Sequence, residues 1–129
     1  MKQFTLRSPL GVLGEKIAKR YLEERGFCIE AENFYQNTGK RFGEIDIIAS
    51  KKQDLYCVEV KTLHMKQKVP VFPELAVTRQ KLNKMQKTAQ MFVADTKQKE
   101  KTIHFCVLAV VYDSATKVAK IRFLEDVFY

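Results

Sequence analysis

Asp46, Glu59 and Lys61 are the side chains of this chain whose types and spacing best suit chemistry. They fall in two β-rich runs, Phe42 to Ala49 and Leu55 to Lys61, separated by the polar stretch Ser50, Lys51, Lys52, Gln53 and Asp54, which reads as a hairpin loop. Side chains alternate between the faces of a strand. Glu44, Asp46 and Ile48 therefore share one face of the first run, and Leu55, Cys57, Glu59 and Lys61 share one face of the second. With Lys51 to Asp54 as the loop, Asp46 lies directly across from Glu59; a shorter loop shifts the offset and leaves the faces unchanged. Two neighbouring carboxylates in apolar strands repel each other and lose hydration, and a divalent cation between them relieves both costs. Hard oxygen ligands completed by water and a phosphate oxygen suit Mg²⁺, with Mn²⁺ as a substitute. Lys61, on the same face as Glu59, can orient or deprotonate a water or offset charge on a phosphate. The alternative, on these residues alone, is a solvated Glu59–Lys61 pair beside an exposed strand carboxylate.

A site of this kind needs a sheet held from behind, and the rest of the chain supplies the elements. Ser8 and Pro9 read as an N-cap and first helical position, followed by Leu10, Leu13, Ile17, Tyr21 and Leu22 at helical spacing up to a stop at Gly26. Phe27 to Phe34 reads as a strand ended by the turn formers Asn37, Thr38 and Gly39. After a basic stretch containing Pro70 and Pro73, Glu74 to Val93 predicts a second helix, with Leu75, Leu82, Met85, Ala89, Phe92 and Val93 on one side. Thr102 to Tyr112 is a nearly continuous apolar strand, and Val118 to Leu124 a last one after a turn at Ala115 and Thr116. The order α-β-β-β-α-β-β places a helical crossover between the third and fourth strands, which makes that pair parallel. The expected fold is a single α/β domain over residues 1–129, a mixed sheet flanked by helices.

Charge narrows the function classes. Across 129 residues, 23 Lys and Arg face 15 Asp and Glu, a net charge of +8. The excess is local: residues 61–101 hold 10 basic and 3 acidic side chains, whereas 1–60 hold 10 and 9 and 102–129 hold 3 and 3. Lys66, Lys68, Arg79, Lys84, Lys87, Lys97, Lys99 and Lys101 make a belt suited to a polyanion, so nucleic acid is the expected partner. The longest apolar run, Phe105 to Tyr112, has eight residues, against the roughly 20 of a membrane span, and the N-terminus lacks a signal-peptide core. Cys28, Cys57 and Cys106 form no CxxC pair and read as buried reduced thiols, hence a cytoplasmic location. His64 and His104 lack partners at zinc-ligand spacing. Gly11 and Gly14 follow no strand, which excludes a phosphate-binding glycine loop, and no Ser/His/Asp or Cys/His arrangement supports acyl transfer.

The run GEIDIIA at Gly43 to Ala49 with VEVK at Val58 to Lys61 resembles the core of the YraN-like bacterial proteins, a poorly characterised family within the restriction-endonuclease-like PD-(D/E)XK nucleases. The likeness extends to Gly14, Glu15, Ala18, Tyr21 and Leu22, to Asn33, and to Lys81. It implies a restriction-endonuclease-like sheet, a metal held by Asp46 and Glu59, Lys61 as catalytic lysine, and an accessory acid at Glu15 as in the similar archaeal Holliday-junction resolvases. Those junction-cutting relatives act as dimers, so a homodimer is compatible with it. On a helical wheel Glu15 falls at the margin of the apolar face, from which it either reaches over the sheet or serves as an ordinary boundary glutamate. Lys81 flanks Met85 and Phe92, so it either faces the site as a nucleic-acid contact or snorkels along the core edge. Two functions stand: a Mg²⁺-dependent DNA endonuclease, acting on branched or repair intermediates among others, and a non-catalytic nucleic-acid-binding module on the same fold. Only the first uses Asp46, Glu59 and Lys61 together, because acids facing phosphate do nothing for a binder.

Overall fold

The computed structural model describes residues 9–35, 43–64 and 78–127. Their elements run α1 (Pro9–Glu24), β1 (Cys28–Phe34), β2 (Ile45–Lys51), β3 (Asp54–His64), α2 (Arg79–Asp95), β4 (Thr102–Asp113) and β5 (Val118–Leu124), the expected order. The strands form one sheet in sequential order, β1-β2-β3-β4-β5. Only β3 and β4, joined through α2, are parallel; the other neighbours are antiparallel.

Each helix covers one sheet face. On the first, α2 lays Leu82, Met85, Ala89 and Phe92 against Ile48, Leu55, Cys57, Phe105 and Val107. On the second, Ala18 and Leu22 of α1 meet Ile47, Ala49, Val58, Cys106, Leu108 and Val110. The central strand β4 thus alternates between two buried faces, which is why its sequence reads as an unbroken apolar run. Gly26 ends α1 with φ +88°, a left-handed conformation open to glycine without steric cost. At Gly14 the helix approaches β3 so closely that an added Cβ would stand 1.9 Å from Thr62 Oγ1.

Three local differences from the sequence reading have physical causes. The second helix begins at Arg79, not Glu74, because Thr78 takes an extended conformation (φ −65°, ψ 156°) and its Oγ1 accepts the Lys81 N–H at 3.2 Å; Leu75 lies outside the described residues. The hairpin loop shrinks to Lys52 and Gln53, with Lys52 at φ +57°, so both strands run further. Cys28 is exposed at the start of edge strand β1, whereas Cys57 and Cys106 are buried as expected. Those two lie on opposite faces of the sheet, and burial pushes each thiol up to about 12. Among the described residues no helix is long and apolar enough to cross a membrane.

Candidate functional site

The register of β2 against β3 runs Lys51↔Asp54, Ser50↔Leu55, Ala49↔Tyr56, Ile48↔Cys57 and Ile47↔Val58. One step further it would set Asp46 opposite Glu59, but the paired ladder ends there. Instead the Val60 N–H donates to Asp46 Oδ2 at 2.8 Å. A side-chain carboxylate thus stands in for a strand carbonyl at the point where β2 and β3 part. This anchors Asp46 at the fork with its carboxylate turned toward β3.

Glu59 lies on the face covered by α2, by alternation with Leu55 and Cys57, and Lys61 follows on the same face. The Glu59 side chain is only 13% exposed. One of its oxygens, Oε1, pairs with Lys81 Nζ from the first turn of α2; the other, Oε2, is buried with no hydrogen-bond partner. A buried carboxylate oxygen without a donor is costly, and hard oxygen of this kind is what a divalent cation takes. The residues therefore fit a metal held by Asp46 and Glu59. Among the described residues no group of three His, Cys, Asp or Glu side chains that could hold a metal ion is present.

The position of α2 over the fork is itself built. Gly43, just before β2, lies so near the helix that an added Cβ would be 2.9 Å from Lys84 Cβ. Thr88, buried on α2, donates its hydroxyl to the Gly43 carbonyl at 2.6 Å. Helix and strand entry are thereby fastened together beside a pocket of about 330 Å³ lined by Gly43, Glu44, Thr78, Gln80, Lys81 and Lys84. Arg79, Lys84 and Lys87 are exposed along α2, consistent with a charged outer face. Lys66 and Lys68 lie outside the described residues.

Lys81 turns its ammonium to the Glu59 carboxylate. Glu15 is half-buried on α1, next to Gly14 at the level of Thr62, so its helix covers the sheet face opposite Glu59 and Lys61. Sequence reasoning missed Thr88 as a fastening and the Asp46 bond to a backbone amide. A threonine at a buried helical position, at i+3 from Met85 and i+4 from Lys84, is the signal that would have marked the first; the second has none.

A further cluster lies at the hairpin end of β3. His104 sits between Asp54, 2.8 Å from Nε2, and Asp126, 2.9 Å from Nδ1, and stacks on Tyr56 with ring centroids 4.8 Å apart. The bond to Asp54 raises its pKa above the ordinary histidine range against the opposing effect of burial, helped by Asp126. Glu30 is bulged out of the β1–β2 ladder. Burial there works to raise its pKa, but bonds from Ser50, Gln98 and Lys101 hold it below the ordinary carboxylate range.

Residues 14–110 match the model of the uncharacterised protein family UPF0102. A UPF0102 protein of Syntrophomonas wolfei is 33% identical over 110 residues, covering 84% of this chain and 90% of the relative. One of Dictyoglomus thermophilum is 31% identical over 120 residues, covering 92% and 96%, and one of Clostridium botulinum is 31% identical over 125 residues, covering 92% and 93%.

Proposed function

The chain belongs to the uncharacterised UPF0102 family, the YraN-like group its motifs resemble, and on that footing we propose that it is a metal-dependent endonuclease hydrolysing phosphodiester bonds in DNA, with branched or repair intermediates among its substrates. The observation that carries this reading is the Glu59 Oε2 atom, buried without a donor, in the residue next to Val60, whose N–H holds the Asp46 carboxylate. Mg²⁺ or Mn²⁺ held by Asp46 and Glu59 would lower the pKa of a water and offset charge on the phosphate. Lys61, two residues beyond Glu59 on the same face, brings an ammonium to the attacked phosphate and holds or orients the water. Arg79, Lys84 and Lys87 on the exposed side of α2 neutralise flanking phosphates and set the register of the backbone.

The test is a panel of branched, flapped, duplex and single-stranded DNA incubated with Mg²⁺ or Mn²⁺, with Asp46→Asn and Lys61→Ala alongside. Cleavage by the wild type and its loss in both variants supports the reading. DNA affinity should fall steeply with salt and weaken on reversing Lys84 and Lys87 to Glu, since each neutralised phosphate releases counterion. A protein that binds in this way, cuts nothing across the panel and keeps the same metal dependence in Asp46→Asn is a binding module instead.

A further inference from the structure

We propose that Lys81 is a cation gate: its ammonium occupies Glu59 in the metal-free protein, is displaced when a divalent ion loads, and then becomes a phosphate contact. This rests on the reading of Asp46 and Glu59 as the metal ligands.

Lys81 is in the first turn of α2, where the helix macrodipole presents partial positive charge and where α2 has no acidic residue. A lysine there is electrostatically disfavoured unless something anionic holds it. Its own amide is tied to Thr78 Oγ1, so the backbone is set and only the side chain is free to choose a partner. That partner is Glu59 Oε1, on a carboxylate otherwise buried by the packing of α2 on β3. The ammonium keeps a way out, since the Lys81 side chain is 43% exposed and borders the pocket between Gly43 and Lys84.

Lys81 therefore balances one charge on Glu59 while leaving Oε2 without a donor. A divalent ion at Asp46 and Glu59 supplies both charges and adds repulsion against the ammonium, which already faces a helix N-terminus. Lys81 then swings toward the pocket mouth, next to Lys84, where an incoming phosphate supplies the anion it has lost. Metal loading and backbone binding become linked through one side chain. Its contribution to DNA affinity exists only in the loaded protein, unlike that of a constant contact such as Lys84.

The experiment uses Lys81→Met, which keeps the aliphatic stem, with Lys81→Gln as a second variant should the first fail to fold. Mn²⁺ affinity without DNA is measured by calorimetry or from the free-ion spin-resonance signal, with Asp46→Asn as a control. Removing the ammonium should tighten Mn²⁺ binding by about twofold to fivefold, the scale of a half-exposed ion pair no longer broken on loading. DNA affinity is then measured for the full chain in chelator and in Ca²⁺. Lys81→Met should lose more DNA affinity in Ca²⁺, severalfold, than in chelator, where only the net charge changes. Unchanged or weaker Mn²⁺ binding in Lys81→Met, where the wild type binds and Asp46→Asn does not, overturns the gate and leaves the site standing. So does an equal loss of DNA affinity with and without Ca²⁺. Failure of the folded wild type to take up Mn²⁺ overturns the site, and the gate with it.

Discussion

Replacing Asp46 by Asn and by Ala should separate its chemistry from its structural bond. Both substitutions remove one negative charge and relieve the same repulsion with Glu59, so that effect cancels between them. They differ in what remains for the Val60 N–H, which donates to Asp46 Oδ2 at 2.8 Å in a part-buried site. Asn retains an amide oxygen in that place, so the bond from Val60 survives without its charge assistance, about 1 kcal/mol. Ala leaves the amide without its acceptor where β2 no longer pairs, a cost of about 1–3 kcal/mol. For a chain of 129 residues, about 1 kcal/mol moves the melting temperature by roughly 4 °C. Asp46→Ala should therefore melt several degrees below Asp46→Asn in calorimetry, and the Val60 amide should exchange faster in Asp46→Ala alone. Cleavage should vanish in both, which makes Asp46→Asn the cleaner catalytic knock-out. Coincident melts and an unchanged Val60 exchange rate would refute the fork geometry.

Gly14→Ala should destabilise the fold despite alanine's better helix propensity. The new Cβ would be 2.8 Å from Thr62 Cβ as well as 1.9 Å from Oγ1, so no rotamer clears it. Overpacking costs about 1–3 kcal/mol against a helix gain of under about 1, and Thr62→Ala in the same chain should recover only part of the lost melting temperature. His104, with its pKa raised by Asp54 and Asp126, stabilises the fold as an imidazolium. That stabilisation is complete below the unfolded-state pKa and fades as pH rises through the folded one. Melting temperature should thus fall over the pH units above the ordinary histidine value in the wild type and stay flatter in His104→Gln; parallel curves would remove His104 from the linkage. Thiol reagent should label Cys28 in the native protein and reach Cys57 and Cys106 only on unfolding; rapid native labelling of either buried thiol would contradict the packing.

Periodic local signals settled much of this protein from sequence alone. Alternation over Asp54 to His64 determined the faces of Glu59 and Lys61, because the pleat repeats every second residue; in β2 it breaks at the fork, where Ile45 packs with Ile48 on the α2 face and not with Ile47. The polar hairpin set the register of β2 on β3, from Lys51 opposite Asp54 to Ile47 opposite Val58, since a short turn leaves little slack. Helical spacing found Leu82, Met85, Ala89, Phe92 and Val93 for the same reason. What had no local period was decided by tertiary packing. That Lys81 reaches Glu59, 22 positions away, depends on where α2 crosses the sheet, and that crossing is fixed by the close approach at Gly43 and the Thr88 hydroxyl. That the helix carrying Glu15 packs on the face opposite Glu59 and Lys61 is likewise a choice of the whole core. The Asp46 bond to Val60 arises because the ladder ends there, a choice between carbonyl and carboxylate that only the diverging strands make. Backbone geometry assigns faces and neighbours within an element, whereas the meeting of side chains from separate elements is set by the packing of the whole core, which no single stretch of sequence encodes.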